Sequence, residues 1–437
     1  MKRLNKILSR IKKYIGTVEK NKTAIRITVN HKKISSNGIN LLYYLLNLYE
    51  EYFFIMIASL PYCIMPDALE HMVEIKQEQR CFSKDKICKD CDFIDKCEGC
   101  KRFISIDKNK CHPLKDIPKE IILETTTQCN LNCQVCHQDK KAQIWNLNFS
   151  KTKEIIDEAR LLGIKAIRFT GGEPLLNRDI RKMLLYAKKN NFYVLLNTNA
   201  TDIPDAILQI LKETVDNILV SLQGYNETTD HQLTRSHTDF KNKLKNILKL
   251  KAYVPVLRVG TIISQTLIHH FDRYEVLLRR LGITYWNLFR PLSKKADDEF
   301  NISKNDILKV MRLISEVKKH GLHAKITNPV PFCIAKDIHL SLATLLGANL
   351  DDGHSRIVFD ARGYFKPSYF MDVKLGKTIR EAWENPFLKK IRSLGYLPIK
   401  CKNCDYLKWC RGGSRIIPGI KQNNYFVEDP LFNEDFL

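Results

Sequence analysis

From Glu120 onward, short β-rich runs alternate with helical ones, and this alternation limits the possible folds more than any other feature of the chain. In order they read IILETTT, KTKEIIDEARLLG, AIRFT, DIRKMLLYAKKN, FYVLLNT, DAILQILKET and NILVSL. Repeated strand–helix units of this kind build a parallel sheet with helices packed on it. The later runs VLRVGTII and TYWNLF, with helices through 274–281 and 304–319, bring the number of units to about six. That is too few for a closed eight-stranded barrel. The expected fold class is therefore α/β, a partial (β/α)6 barrel over residues 119–330.

The flanks read differently. Residues 1–118 open with Leu4, Ile7, Leu8, Ile11 and Ile15 at helical spacing, continue through a strand-like Ala24–Val29, and end in a cysteine-rich patch. Residues 331–437 hold a hairpin candidate, RIVFDARGYFKPS, with Gly363 in its turn. A helix expected over 379–392 and a second cysteine group follow. Two cysteine-rich segments thus flank one core. The basic N-terminus lacks the continuous apolar run of a secretory signal, and Leu41–Met65 is interrupted by Asn47, Glu50 and Glu51. The expectation is a cytoplasmic protein with no membrane span. In a reducing compartment, clustered cysteines read as metal ligands rather than disulfides. The net charge of +23 permits contact with RNA, an anionic surface or an acidic peptide, and a lysine-rich solvated surface gives the same number.

The strongest chemical signal is TTTQCNLNCQVC, with Cys129, Cys133 and Cys136 directly after the first core strand. Loops at the carboxyl ends of parallel strands are where α/β proteins place their chemistry. Three thiolates on one short loop suit an iron–sulfur cube, each binding one corner iron and leaving the fourth open. A structural zinc site would need a fourth ligand, for which His137 is the near candidate. The next strand–helix loop carries AIRFTGGEP, where Gly171 and Gly172 allow close backbone approach and Pro174 fixes the turn before a helix.

Together these residues resemble the radical S-adenosylmethionine superfamily, Cys129, Cys133 and Cys136 matching its cluster motif and Gly171, Gly172, Glu173 and Pro174 its GGEP motif. The resemblance implies a 4Fe-4S cluster whose free iron chelates the amino and carboxylate groups of S-adenosylmethionine. One electron would break the sulfonium bond and give methionine and a 5′-deoxyadenosyl radical that abstracts a substrate hydrogen. It also implies that backbone around Gly171–Glu173 receives the methionyl amino group, and that Asn197, Asn199 and Ser221 hydrogen-bond the ribose. Arg258, on the fifth strand, is a weaker candidate for the partner of the methionyl carboxylate, a barrel-rim salt bridge being the favoured alternative, and the pair Arg290–Pro291 after the sixth strand is weaker still. One departure is Val135, where the family usually has an aromatic residue.

Near the C-terminus, CKNCDYLKWCRGG places Cys401, Cys404 and Cys410 in a Cys-x2-Cys-x5-Cys pattern that resembles the auxiliary-cluster extension called SPASM, or its shorter relative twitch. Ser414 and Ser368 stand where the full pattern has further cysteines. An internal echo supplies a fourth ligand. LPYCIM at Cys63 precedes CKDCDFIDKCEG, and VPFCIA at Cys333 precedes CKNCDYLKWCRG. The expected sets are Cys63, Cys88, Cys91 and Cys97 in one site, with Cys100 as the alternative to Cys63, and Cys333, Cys401, Cys404 and Cys410 in the other. They would hold one or two auxiliary iron–sulfur clusters, with zinc as the alternative.

The functional expectation is radical hydrogen abstraction from a peptide or protein substrate, with a reductant protein such as ferredoxin or flavodoxin. The alternatives are a radical enzyme of cofactor biosynthesis, or an RNA-modifying or nucleic-acid-binding protein with zinc-type modules. No acid–base catalytic residue is assigned, because hydrogen abstraction demands distance rather than a recognisable proton-transfer pair.

Overall fold

A computed structural model describes residues 2–14, 16–20, 24–29, 41–42, 45, 54–58, 72–73, 116–138, 143–292, 298–345 and 353–433. The chain divides into two compact units, Met1–Asp116 and Ile117–Leu437.

In the first unit a helix, Lys2–Tyr14, buries Ile7, Leu8 and Ile11, three of the apolar positions read at helical spacing. Four strands follow: β1 (Gly16–Lys20), β2 (Ala24–Val29), β3 (Phe54–Ala58) and β4 (Met72–Val73). β1 pairs antiparallel with β2, and β2, β3 and β4 run parallel. Cys63, Cys88, Cys91 and Cys97 lie outside the described residues. Among the described residues no helix is long and apolar enough to cross a membrane.

The second unit carries a nine-stranded sheet. Strands β5 (Glu120–Glu124), β6 (Ala166–Thr170), β7 (Tyr193–Thr198), β8 (Asn217–Ser221), β9 (Val256–Ile262), β10 (Tyr285–Phe289) and β11 (His323–Ile326) lie side by side in chain order, all parallel. These seven strands are one more than the six units counted in the sequence, and a strand on the far side of β5 adds an eighth parallel member. β11 is only four residues, HAKI, too short for its alternation to stand out. At the other edge, β12 (Arg356–Phe359) pairs parallel with β5, and β13 (Phe365–Lys366) pairs antiparallel with β12. The hairpin turn places Gly363 at φ +98°, a left-handed conformation that suits glycine. Residues beyond 331 thus extend the barrel sheet itself.

Alternation along the central strands sorts their side chains. On β8, Ile218 and Val220 are buried while Asn217, Leu219 and Ser221 stay partly exposed; on β9, Leu257 and Val259 are buried while Arg258 is partly exposed. One face is sealed by apolar packing, and the opposite face carries polar groups. The helices are set by ordinary end signals. Phe149–Leu162 starts at Asn148, whose side chain accepts from Lys151 N, and stops at left-handed Gly163. The single helix expected over 379–392 is two, Ile379–Glu384 and Pro386–Ser393. Pro386 has no N–H to continue the first helix and sits at the first turn of the second, so the break falls at Asn385.

Candidate active site

β5 delivers the chain into residues 125–138, and hydrogen bonds join the start of this stretch to 145–147 in a closed neck. Thr127 N donates to Trp145 O and Leu147 N to Thr125 O. The buried Asn177 amide then donates to both Thr125 O (2.6 Å) and Leu147 O (2.9 Å), fixing the neck from the next unit. Cys129, Cys133 and Cys136 sit inside this loop, all partly exposed. A turn with Cys136 N donating to Cys133 O brings the last two close along the chain. Cys129 Sγ accepts from Leu131 N at 3.4 Å and from Asn199 Nδ2 at 3.8 Å. N–H donors aimed at sulfur suit a thiolate that ligates iron, so this donor set fits the cluster.

The GGEP loop is welded to that cysteine loop. Gly172 N donates to Thr126 O and Glu173 N to Gln128 O, both at 2.7 Å. Gly171 has φ +137°, and a Cβ there would overlap Thr126 O. A Cβ on Gly172 would overlap the Gln128 carbonyl. The glycines are therefore required by backbone contact between loops, before any ligand is considered. Gly172→Ala must push the loops apart; destabilisation by about 1–3 kcal/mol is expected, with reduced iron binding. Thermal melts and iron analysis of the anaerobically purified variant check this.

Glu173 is buried. Its carboxylate accepts from Thr198 Oγ1 (2.8 Å), Asn199 N (2.7 Å) and Leu175 N (3.2 Å), tying the loop to the end of β7. Burial raises its pKa to about 7, against the lowering effect of those donors. A raised carboxyl pKa means the folded state holds a proton that the unfolded state releases. Stability from this group is therefore full below about pH 4.5 and declines as pH rises to about 7, by roughly 3 kcal/mol. The check is denaturant unfolding across that window, where Glu173→Ala removes this part of the slope. Pro174 opens a short 3-10 turn, Pro174–Leu176, directly after.

The remaining expected positions separate. Asn199 joins the cysteine loop, its amide also donating to Asn130 Oδ1 (2.7 Å) and its carbonyl accepting from Thr201. Asn197 lies further down β7 and accepts from Arg168 Nη1 (3.0 Å). Ser221 ends β8 and accepts from Gln223 Nε2 (2.7 Å). His137 turns to Glu124 (2.6 Å), itself paired with Lys366 of β13 (2.7 Å), and packs on Tyr369 and Phe370. Among the described residues no group of three or more His, Cys, Asp or Glu side chains converges on a single-ion site. Val135 is buried with Leu233 and Phe300, and partly buried Ile262 packs against them, so an apolar cluster takes in the position where the family usually has an aromatic. Sequence reasoning missed Asn177, Asn130 and Arg235, whose Nη2 donates to Gln134 Oε1 (2.7 Å) from a left-handed residue at a helix end. None of the three belongs to a pattern legible along the chain.

Arg290 is accounted for by structure. It forms a two-pronged pair with buried Asp429 (2.8 and 3.0 Å), joining the end of β10 to the C-terminal segment. Asp429 also accepts from Ser414 N and Leu431 N. Ser414 is buried and its hydroxyl accepts from Ile416 N, just ahead of the helix Ile416–Gln422.

Cys333, Cys401, Cys404 and Cys410 line one small, partly open pocket together with Phe332, Tyr406 and Phe432. Cys410 Sγ accepts from Phe332 N (3.3 Å) and Cys333 Sγ from Asn433 N (3.4 Å). Burial, with Cys333 and Cys404 as further causes, pushes the Cys401 thiol to about 11 and the Cys410 thiol to about 12. Two of these cysteines, Cys333 and Cys401, are buried and the other two are partly exposed, and sulfur ligands of this kind suit a shared metal centre once deprotonated. Gly412 and Gly413, both left-handed, bring the chain back against Leu397 and Pro331 where a Cβ would collide.

An open parallel sheet with a three-cysteine loop at the carboxyl end of its first barrel strand, clamped by a glycine turn from the second, defines an iron–sulfur enzyme of the radical type. Residues 123–273 match the Radical SAM superfamily, and the core of this chain is that of a radical SAM enzyme. The AdoMet-dependent heme synthase of Methanosarcina barkeri is 25% identical over 338 residues, spanning 72% of this chain and 97% of that protein. The protein of the same name from Nitratidesulfovibrio vulgaris is 23% identical over 72% of this chain and 91% of its own length. Among solved structures, anSMEcpe with bound AdoMet shares the fold at TM-score 0.57 and 17% identity, covering 70% of this chain and 93% of that one. Streptococcus suis SuiB bound to the precursor peptide SuiA does so at TM-score 0.59 and 16% identity, covering 72% and 76%.

Proposed function

We propose that Cys129, Cys133 and Cys136 hold a 4Fe-4S cluster, that S-adenosylmethionine binds its remaining iron, and that the protein abstracts hydrogen from a peptide or protein. The observation that carries this reading is the hydrogen-bonded weld between the cysteine loop and Gly171–Glu173. When bound, cluster and S-adenosylmethionine together supply one-electron cleavage to a 5′-deoxyadenosyl radical, chemistry no side chain here has. The polypeptide positions and shields. Because the N–H groups of Gly172 and Glu173 already donate to Thr126 and Gln128, an arriving ammonium group is received by carbonyl oxygens of that turn. Asn197 and Ser221, on the polar face of the sheet, serve the ribose, while Asn199 orients Cys129.

Residues 331–437 act as an auxiliary-cluster module, Cys333, Cys401, Cys404 and Cys410 holding one iron–sulfur cluster. With four thiolates it has no open iron for S-adenosylmethionine, so electron relay or substrate anchoring is its role. Cys63, Cys88, Cys91 and Cys97 hold a second, and a ferredoxin or flavodoxin supplies the electron.

A second substrate class has its own support. The relatives matched over nearly their whole length are named heme synthases, which favours a small molecule of cofactor assembly. Anaerobic incubation with reductant, S-adenosylmethionine and cell extract, followed by 5′-deoxyadenosine, separates the two. Stimulation destroyed by protease supports the peptide reading; stimulation that survives protease and passes a small-molecule filter supports the other. No 5′-deoxyadenosine under any condition overturns both.

A further inference from the structure

Three guanidinium groups cluster around one carboxylate on the polar face of the barrel sheet. Arg168 of β6 grips Glu120 of β5 through Nε (2.6 Å) and Nη2 (3.2 Å) and donates its third edge to Asn197. Arg356 of β12 reaches the same carboxylate at 3.8 Å. Burial would raise the Glu120 carboxyl, but Arg168 and Arg356 hold it below its usual range. The carboxylate is hydrogen-bonded by Arg168 and paired at longer range with Arg356, while the charge of Arg258 also helps to hold it ionised.

Arg258 of β9 is the third. Its Nε donates to Asn217 Oδ1 (2.8 Å), and its Nη2 is buried with no hydrogen-bond partner. Among the described residues no carboxylate pairs with it. Burial, reinforced by the like charges of Arg168 and Arg356, lowers its pKa to about 10. Nearby, the Tyr369 hydroxyl is also buried and unpartnered, and it lies close enough to Arg168 and Glu120 for their charges to act on it. Unpaired buried donors beside surplus positive charge are costly unless something answers them. The side chains of Arg168, Glu120 and Arg356 remain 9–13% exposed, and Arg258, Leu219 and Ser221 are partly exposed as well, so solvent reaches the cluster.

We propose that Arg258, backed by Arg168 and Arg356, is a binding site for an oxyanion, a carboxylate or phosphate carried by the substrate into the barrel. This rests on reading the polar face of the sheet as the substrate chamber. A guanidinium fork receives either oxyanion through paired N–H donors, and among the described residues Arg258 has no carboxylate in direct ion-pair contact, Glu120 acting on it only from within the grip of Arg168. An anionic tail anchored on β9 would fix one end of the substrate, leaving its reactive carbon to be placed toward the cysteine loop at the carboxyl ends of the strands.

The test is thermal melting of the full anaerobic protein with acetate or inorganic phosphate, against chloride at equal ionic strength. S-adenosylmethionine alone forms a separate arm. The wild type is expected to gain stability with either oxyanion. Arg258→Gln should melt at or above the wild type without oxyanion, because an unanswered charge is removed, and should bind acetate roughly tenfold or more weakly. Arg258→Lys should keep part of the gain. A lowered melting point in Arg258→Gln with the oxyanion gain intact overturns the proposal, as does a gain with S-adenosylmethionine that Arg258→Gln abolishes, since Arg258 would then hold that molecule's carboxylate rather than the substrate's. These melts need no turnover, so 5′-deoxyadenosine formation by the wild type reports separately on the radical reading.

Discussion

Cys133→Ala is expected to reduce 5′-deoxyadenosine formation to background while leaving the unit 117–437 folded. Cys133 is the middle ligand of the proposed trio, and alanine removes one corner attachment without removing bulk from a packed core, since the residue is partly exposed. The neck of the loop is held by Asn177, Thr125 and Leu147, none of which touches that sulfur. Iron analysis should show a loss of about four irons per chain, and electron paramagnetic resonance should lose only the signal that S-adenosylmethionine perturbs. Cys404→Ala should produce the complementary pattern, losing iron at the other site while the perturbed signal persists. Continued cleavage in Cys133→Ala sinks the ligand assignment.

Asp429→Ala has the largest expected effect on stability, about 3–5 kcal/mol, because it strands a buried guanidinium. Arg290 is 8% exposed and Asp429 0% at the side chain, so water replaces little of the lost pairing. Two backbone donors, Ser414 N and Leu431 N, lose their acceptor in the same stroke. The double replacement Arg290→Met with Asp429→Leu should cost less than the single one, since it removes the stranded charge together with its partner. Urea midpoints for the three proteins check the order. If Asp429→Ala unfolds at the wild-type midpoint, the pair is not what fastens the C-terminal segment to β10.

Much of the core was legible because its signals are local. AIRFT, FYVLLNT and NILVSL alternate or run apolar over strand lengths, and the intervening helices carry apolar residues three and four apart. The observed elements at Ala166–Thr170, Tyr193–Thr198, Asn217–Ser221 and Lys304–Lys319 follow those runs. The cysteine trio and the glycine turn were equally readable, being short and contiguous. What escaped is long-range. That β12 pairs with β5, more than two hundred residues earlier, depends on which edge is open after the barrel has formed, and no periodicity encodes it. Asn199 read as a ribose contact; its hydrogen bonds to Asn130 and Cys129 exist only because two loops meet. Arg258 read as a rim salt bridge, yet among the described residues its acid partner is missing.

The pairing of β12 with β5 also bears on how the enzyme can be dissected. A chain trimmed after the family match, or at residue 330, would strip β5 of its lateral neighbour and expose a bare row of amide and carbonyl groups. Such a naked edge recruits foreign strands. The strand that feeds the cysteine loop would become the stickiest surface of the fragment, so a workable catalytic piece must keep β12, and the need of Arg290 for Asp429 carries it on into the C-terminal segment.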